Sequence, residues 1–288
     1  MTAAQGAPAH VGVLGGGRMG AGIAHAFLLA GSRVTVIERD GPSVDAASAR
    51  IRDSLTRSVQ RGSTTAPLDE LEQALHVRVD IEGFAGCDLV VEAVPEDRAL
   101  KLDALTRVES VLADSAALAS NTSSISIDDL AGELRVPARF LGLHFFNPVP
   151  ASMLVEIVAG AVTEPTLVDA ARGWVGAIGK TPVVVRDAPG FASSRLGVAL
   201  GLEAIRMLEE GVASAQDIDA AMELGYRHPM GPLRTTDIVG LDVRLGIAEE
   251  LHAKLGARFA PPALLRRLVA EGHLGRKTGR GFYEWSEQ

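Results

Sequence analysis

The chain has 288 residues, 47% of them hydrophobic and 22% charged, which suffices for one large or two modest domains with a sizeable core. A net charge of −8 argues against nucleic acid and anionic membrane surfaces as partners, because both attract basic proteins. The single cysteine, Cys87, cannot form an internal disulfide. No signal peptide or bilayer-spanning run is recognisable, so we predict a soluble cytoplasmic protein.

Short apolar runs alternate with amphipathic segments in the first two thirds of the chain. The runs predict strands at 10–15, 33–38, 87–94, 117–120, 140–145, 153–160 and 182–186. The segments predict helices at 18–30, 43–61, 97–112 and 166–178. This alternation favours a mostly parallel sheet with helices on both faces. We expect the strand at 153–160 to be antiparallel and to lie at the sheet edge.

The pattern changes near residue 188. Beyond it we find no convincing strand before the terminal "GFYEW", and the apolar spacing predicts helices at 191–210, from Ser214, near 235–255 and near 262–271. We therefore predict an α/β domain over residues 1–188 and an all-helical domain over 189–288.

The segment "VGVLGGGRMGAG" (11–22) follows the first strand and opens a helix. It holds Gly15, Gly17 and Gly20 in G-x-G-x-x-G spacing, with Met19 between them. In that position the glycines permit a tight turn, close approach of a pyrophosphate and packing of helix on strand. The free N–H groups of the helix N-terminus favour the phosphates. We predict a dinucleotide site here.

Glu38 ends the second predicted strand, eighteen residues beyond Gly20. A carboxylate there accepts hydrogen bonds from the adenosine ribose hydroxyls and repels a 2′-phosphate, which favours NAD over NADP. The neighbouring Arg39 supports the opposite preference, because a guanidinium can accommodate that phosphate.

The stretch "HFFNPVPASMLVE" (144–156) places His144 and Glu156 in otherwise apolar sequence. One interpretation is a core histidine satisfied by a backbone carbonyl, with Glu156 facing water. The other is a general base whose imidazolium form is stabilised by the carboxylate during removal of a hydroxyl proton. Such a reaction needs no covalent nucleophile.

Several distinct motifs occur together, spread over nearly the whole chain. They are "EDRALK" (96–101), "SNTSS" (120–124), "HFFNPVP" (144–150), "LVEIV" (154–158), "DAPGF" (187–191) and "GRKTGRGFYEW" (275–285). In this order and spacing they make the chain resemble the 3-hydroxyacyl-CoA dehydrogenase family. The resemblance implies a Rossmann-like doubly wound sheet followed by an all-helical C-terminal domain that dimerises. It also implies NAD-linked oxidation of the 3-hydroxyl of an acyl-CoA, as in fatty acid metabolism.

The resemblance also implies roles for single residues. His144 matches the catalytic base and Glu156 its carboxylate partner, while Ser123 and Asn147 match residues that hydrogen-bond the reacting oxygen. Positions that line the nicotinamide half of the cofactor are matched by Glu96, Lys101 and Asn121. Contacts to coenzyme A are matched by Ser54 and Arg61.

The chain departs from this family pattern at Ser194, where the family carries an asparagine in the substrate pocket. The substrate is therefore left more open than the reaction. We favour a short-chain 3-hydroxyacyl-CoA such as 3-hydroxybutyryl-CoA. The same chemistry on a carrier-protein-bound or free hydroxy acid is the first alternative, and a non-catalytic NAD-binding protein is the second. No cluster of His, Cys and Asp has metal-binding spacing.

Overall fold

Eight strands form one sheet in the computed structural model, which describes residues 6–285. The strands are β1 His10–Leu14, β2 Arg33–Ile37, β3 Leu75–Arg78, β4 Leu89–Glu92, β5 Ala117–Ser120, β6 Phe140–Phe145, β7 Leu154–Ala159 and β8 Thr181–Arg186. Their order across the sheet is β3-β2-β1-β4-β5-β6-β7-β8. Every neighbouring pair is parallel except β6 with β7. Starting from β1, the chain adds β2 and β3 on one side of the sheet and then β4 to β8 on the other side, as in a doubly wound sheet.

Six α-helices of the described residues accompany this sheet: α1 Arg18–Leu29, α2 Gly41–Gln60, α3 Leu68–Gln73, α4 Arg98–Val111, α5 Ile127–Ala131 and α6 Pro165–Ala177. Three of them begin at a polar side chain that accepts a backbone N–H of the first turn. Asp40 caps α2, Asp97 caps α4 and Ser126 caps α5. These caps satisfy donors that a helix leaves unpaired at its start. β4, β5 and β6 are buried along their whole lengths, because helices cover both faces of a parallel sheet.

Two of the sheet predictions need correction. β3 was missed, because its four residues "LHVR" are only half-buried and give a weak apolar signal. The strand at 153–160 is antiparallel to β6, as expected, but it does not lie at the edge. β8 pairs with it in parallel and takes the edge position instead.

The chain divides into two compact units after Asp187. The second contains α7 Ser193–Glu209, α8 Ala215–Tyr226, α9 Pro232–Val239, α10 Leu241–Leu255 and α11 Ala263–Ala270. Ser214 caps α8, as its sequence position indicated. The single helix expected near 235–255 is wrong: Gly240, at a φ of 105°, separates α9 from α10. Within this unit up to residue 285, the end of the chain forms isolated bridges rather than the strand expected at "GFYEW".

No helix within residues 6–285 has both the length and the apolar composition that a membrane crossing requires.

Candidate active site

His144 and Glu156 face each other across the antiparallel strands β6 and β7. They are direct partners in the register of β6 and β7, which explains their separation of twelve residues along the chain. The distance from His144 Nδ1 to Glu156 Oε2 is 2.8 Å, and the two residues are 6% and 1% exposed. The interpretation in which Glu156 faces water is therefore wrong.

This pair is suited to proton transfer. A carboxylate bonded to Nδ1 holds that nitrogen as the hydrogen-bond donor, which puts the basic lone pair on Nε2. A buried carboxylate also stabilises an imidazolium more than one in water does, because the local dielectric is low. The Phe146 ring packs against the imidazole, with ring centroids 4.4 Å apart, and thereby restricts its orientation. The arrangement provides an oriented base.

A buried ion pair lies at the carboxyl end of β4. Glu92 is wholly buried, and its Oε1 accepts hydrogen bonds from the Lys101 ammonium at 2.8 Å and from the Val94 N–H at 2.7 Å. Its Oε2 accepts from the Ser120 hydroxyl at 2.5 Å. These contacts tie α4 to the ends of β4 and β5. Lys101, predicted as a cofactor residue, is thus held in place by a carboxylate that the motifs did not indicate.

Glu96 accepts several hydrogen bonds from the loop that follows β5. One carboxylate oxygen accepts from the Thr122 hydroxyl at 2.7 Å and from the backbone N–H groups of Ser123 and Ser124 at 2.9 and 3.0 Å. Burial raises the pKa of Glu96, but Lys101 and these hydrogen bonds outweigh it, so the pKa lies below its ordinary value. The Ser123 hydroxyl also donates to Glu96, at 3.3 Å. Glu96, Lys101 and Ser123 therefore belong to one cluster.

Two further contacts order the segment after β6. Asn121 Oδ1 accepts the Phe145 N–H at 2.8 Å, which fastens β6 beside the loop after β5. Asn147 lies near the start of the connection to β7 and is exposed. The buried Lys180 ammonium donates to the carbonyls of Val149 and Ser152 in that connection, at 2.6 and 2.5 Å.

The glycine loop has the geometry that its spacing predicts. Gly15 has a φ of 91°, and a Cβ on Gly20 would lie 1.7 Å from the Gly15 carbonyl oxygen, so the packing excludes any side chain there. A Cβ on Gly17 would meet nothing within 4 Å, which leaves open space at the start of α1. Free N–H groups and open space at a helix N-terminus fit the pyrophosphate of a dinucleotide. Gly16, absent from the motif, is also confined: its Cβ would lie 2.5 Å from that of Ala47.

Glu38 lies directly beyond β2, beside this loop. Its Oε1 accepts the Gly16 N–H at 2.6 Å, so the carboxylate is fixed next to the dinucleotide site. The Arg50 guanidinium donates to the Gly16 carbonyl at 2.7 Å and supports the same turn. Arg39 pairs instead with Asp40 at 2.9 Å, and its side chain is 84% exposed. The acidic residue is thus held in place, while the basic one extends into solvent.

The other predicted residues are not joined to these clusters. Met19 is partly buried in α1 and packs on the core of the sheet. Ser54 lies on α2, and its hydroxyl donates to the Arg50 carbonyl; Arg61 directly follows the last residue of α2 and is exposed. Ser194 lies in the second unit, in the first turn of α7.

Sequence reasoning missed Glu92 and Lys180. A signal for Glu92 was present, since it ends the apolar run "DLVVE" as Glu38 ends "RVTVIE". Lys180 gave none, because a lysine before a strand is ordinarily exposed.

A Rossmann-like unit with a dinucleotide loop and a buried His–Glu pair defines a nucleotide-dependent oxidoreductase. Comparison with known proteins agrees. Residues 10–188 match the family model "3-hydroxyacyl-CoA dehydrogenase, NAD binding domain", and residues 190–285 match the C-terminal domain of the same family. The chain belongs to the 3-hydroxyacyl-CoA dehydrogenase family.

Individual relatives align over nearly their whole length. The chain is 42% identical to a 3-hydroxybutyryl-CoA dehydrogenase of Mycobacterium tuberculosis, over 96% of this chain and 98% of the relative. It is 40% identical to one of Bradyrhizobium diazoefficiens, over 96% and 94%. The crystal structure of the (S)-3-hydroxybutyryl-CoA dehydrogenase of Ralstonia eutropha superposes with a TM-score of 0.93 at 36% identity. It covers 98% of this chain and 100% of that one.

Proposed function

We propose that this protein oxidises the 3-hydroxyl of a short-chain 3-hydroxyacyl-CoA, such as 3-hydroxybutyryl-CoA, to the 3-ketone with NAD, and catalyses the reverse reaction. The observation that carries the proposal is the buried His144–Glu156 pair, 2.8 Å apart. Both relatives described above and the solved structure are named as 3-hydroxybutyryl-CoA dehydrogenases.

Oxidation of a secondary alcohol removes a hydride and a proton. Hydride acceptance is the chemistry that a bound nicotinamide supplies. His144 Nε2 takes the hydroxyl proton, and Glu156 stabilises the imidazolium that forms. Ser123 and Asn147 hydrogen-bond the reacting oxygen. In this proposal the Ser123 hydroxyl turns from Glu96 to the substrate when the substrate binds.

The cofactor is held at the loop of Gly15, Gly17 and Gly20, with Met19 beside it. Glu38 selects NAD, and Glu96, Lys101 and Asn121 border the nicotinamide half. Coenzyme A is contacted by Ser54 on α2 and by Arg61 at the end of that helix. We propose that the enzyme works in the cytoplasm as a homodimer joined through its helical domain, and that it serves fatty acid metabolism.

The test replaces His144 by glutamine and follows NADH absorbance with 3-hydroxybutyryl-CoA. Loss of a general base lowers turnover by roughly 10²–10⁴-fold. NAD affinity should stay near that of the native protein, because the base touches the substrate. The exposed His252, changed to glutamine, is the matched control and should leave turnover intact. Activity of His144→Gln within threefold of native would contradict the assignment. Glu156→Gln should also lower turnover, because it removes the charge that stabilises the imidazolium.

Ser194 supports a second candidate, a carrier-protein-bound or free hydroxy acid, because a serine hydroxyl is shorter and offers fewer hydrogen bonds than the expected asparagine amide. Comparing the CoA ester, the carrier-bound ester and the free acid of one hydroxy acid decides between the candidates. We expect the CoA ester to have the highest kcat/KM.

A further inference from the structure

Gly16, in the middle of the dinucleotide loop, is held at both of its backbone polar groups. Its N–H donates to Glu38 Oε1 at 2.6 Å, and its carbonyl accepts from Arg50 Nη1 at 2.7 Å. A Cβ at this position would lie 2.5 Å from the Ala47 Cβ and 3.2 Å from Val36 Cγ1. Gly16 therefore has a fixed position between β2 and α2, and each charged side chain orients one of its two peptide groups.

The peptide group between Gly16 and Gly17 connects the Arg50 contact to the open side of the loop. Asn147–Pro148 is the cis peptide bond of the described residues, so this peptide group is trans. In a trans peptide the carbonyl and the N–H lie in one plane and point in opposite directions. Because Arg50 binds the Gly16 carbonyl from α2, the Gly17 N–H points away from α2.

The Gly17 N–H is available to a ligand. Within residues 6–285 it donates to no other group, and a Cβ on Gly17 would meet nothing within 4 Å. The Gly16 N–H is already bound to Glu38, so the loop cannot offer that donor to a phosphate. Three successive glycines, Gly15 to Gly17, also leave the backbone little steric preference for one orientation of this peptide group. A contact from outside the loop is therefore needed to fix the direction of the Gly17 N–H.

We propose that Arg50 is a positioning residue for the cofactor, which holds the Gly16 carbonyl and thereby directs the Gly17 N–H towards the pyrophosphate. This inference rests on the proposed function and adds to the cofactor site a residue that lies outside the glycine motif. The role is indirect, because Arg50 Nη1 is bonded to the carbonyl. A preoriented donor binds more strongly than one that must first be ordered, since the cost of ordering is subtracted from the affinity.

The experiment compares ligands that contain the pyrophosphate with one that lacks it. Titration followed by NADH fluorescence gives the dissociation constant of NADH, and displacement of NADH gives those of ADP-ribose and adenosine. Arg50→Met should weaken NADH and ADP-ribose by about 3–10-fold, the worth of one hydrogen bond, and leave adenosine unchanged. The KM for NAD should rise by a similar factor at constant kcat, because the hydride is transferred at the other end of the cofactor.

Arg52, two positions further along α2, provides the matched control. Its side chain is 60% exposed, and its Nε lies 3.9 Å from Glu72. Arg52→Met removes the same charge from the same helix and should leave all three dissociation constants unchanged. Arg50→Lys keeps a cationic donor on a long side chain and should bring the affinity for ADP-ribose back to within twofold of native. Arg50→Lys as weak as Arg50→Met would contradict the inference.

Three further outcomes overturn the inference. The first is that Arg50→Met binds NADH and ADP-ribose as the native protein does. The second is that adenosine weakens as much as ADP-ribose, which would indicate a general disturbance of the site. The third is that the difference between Arg50→Met and the native protein disappears at high salt, which would indicate direct attraction between the guanidinium and the phosphates.

The proposed function can fail separately. A native protein that binds no NADH, or that binds it but oxidises no 3-hydroxyacyl-CoA, would contradict the proposed function. Native binding of NADH that Arg50→Met leaves unaltered would contradict the role of Arg50 alone.

Discussion

At the scale of single residues, Glu38 and Arg39 support opposite cofactors, and only one of them is held in place. The Glu38 carboxylate accepts the Gly16 N–H at 2.6 Å, whereas the Arg39 side chain is 84% exposed. An exposed arginine binds a phosphate weakly, because it loses side-chain entropy and the attraction is screened by water. The fixed carboxylate should therefore decide the preference in favour of NAD.

Glu38→Ala should narrow the ratio of kcat/KM for NAD to that for NADP, because it removes both the ribose hydrogen bonds and the repulsion of a 2′-phosphate. The ratio is measured by NADH and NADPH absorbance under identical conditions. Arg39→Ala is the control and should leave the ratio nearly unchanged. A native enzyme that uses NADP at least as efficiently as NAD would show that Arg39 determines the choice.

Glu92 is a positioning residue that acts through Lys101. Glu92→Gln should lower the free energy of unfolding by roughly 3 kcal/mol, because the buried ammonium loses its nearest charge and keeps only Glu96, 3.3 Å away. It should also raise the KM for NAD more than it lowers kcat. Denaturant unfolding and steady-state kinetics measure the two effects.

The double variant Glu92→Gln with Lys101→Met tests the cause. With the ammonium gone, the neutral glutamine no longer faces an unpaired charge, so the double variant should be more stable than the sum of the two single changes predicts. Strict additivity would mean that the pair does not stabilise the fold through its charges.

At the scale of elements, the connection between β6 and β7 depends on Lys180. This lysine precedes β8 and donates to the carbonyls of Val149 and Ser152, in the connection that contains Asn147. Burial lowers the pKa of Lys180. The ammonium thus fixes a loop on which the proposed chemistry depends, although it belongs to a different strand.

Lys180→Met should leave the two carbonyls without donors, at about 1–3 kcal/mol for each buried group, and should lower the Tm accordingly. The loop then moves more freely, so kcat on 3-hydroxybutyryl-CoA should fall while the dissociation constant for NAD stays unchanged. Lys254→Met, which breaks an exposed pair with Glu250, is the matched control. An unaltered kcat in a folded Lys180→Met variant would show that turnover does not depend on the contacts of this lysine with the loop.

At the scale of the whole molecule, the helical unit exposes large apolar side chains. Leu196 is 70% exposed, Leu224 83%, Tyr226 75% and Val243 45%. Apolar surface of this kind is commonly buried against a second copy, most often with twofold symmetry. The proposed homodimer would bury it.

Light scattering behind a sizing column should therefore give twice the chain mass at micromolar concentration. Dilution of the sample should lower the mass towards that of the monomer only far below this range. A monomer across the whole concentration series would contradict the proposed assembly.

The sequence by itself determined the class of fold and the chemistry. Strand and helix alternation predicted a mostly parallel sheet with helices on both faces, the glycine spacing located the dinucleotide loop, and the resemblance of the motifs to a known family implied the doubly wound topology. It also drew attention to His144 and Glu156 as two polar groups in an apolar stretch, and the resemblance of the motifs to a known family implied the roles of base and carboxylate partner. Such features are local: each depends on residues within one strand, one turn or one short connection.

Tertiary structure decided what depends on contacts between distant segments. The antiparallel register that puts His144 opposite Glu156 arises from pairing of β6 with β7, and the interior position of β7 arises from β8. Glu92 and Lys180 look ordinary in sequence, since a charged residue is exposed by default. Their importance comes from burial, and burial is fixed only when the helices and strands that surround them have packed.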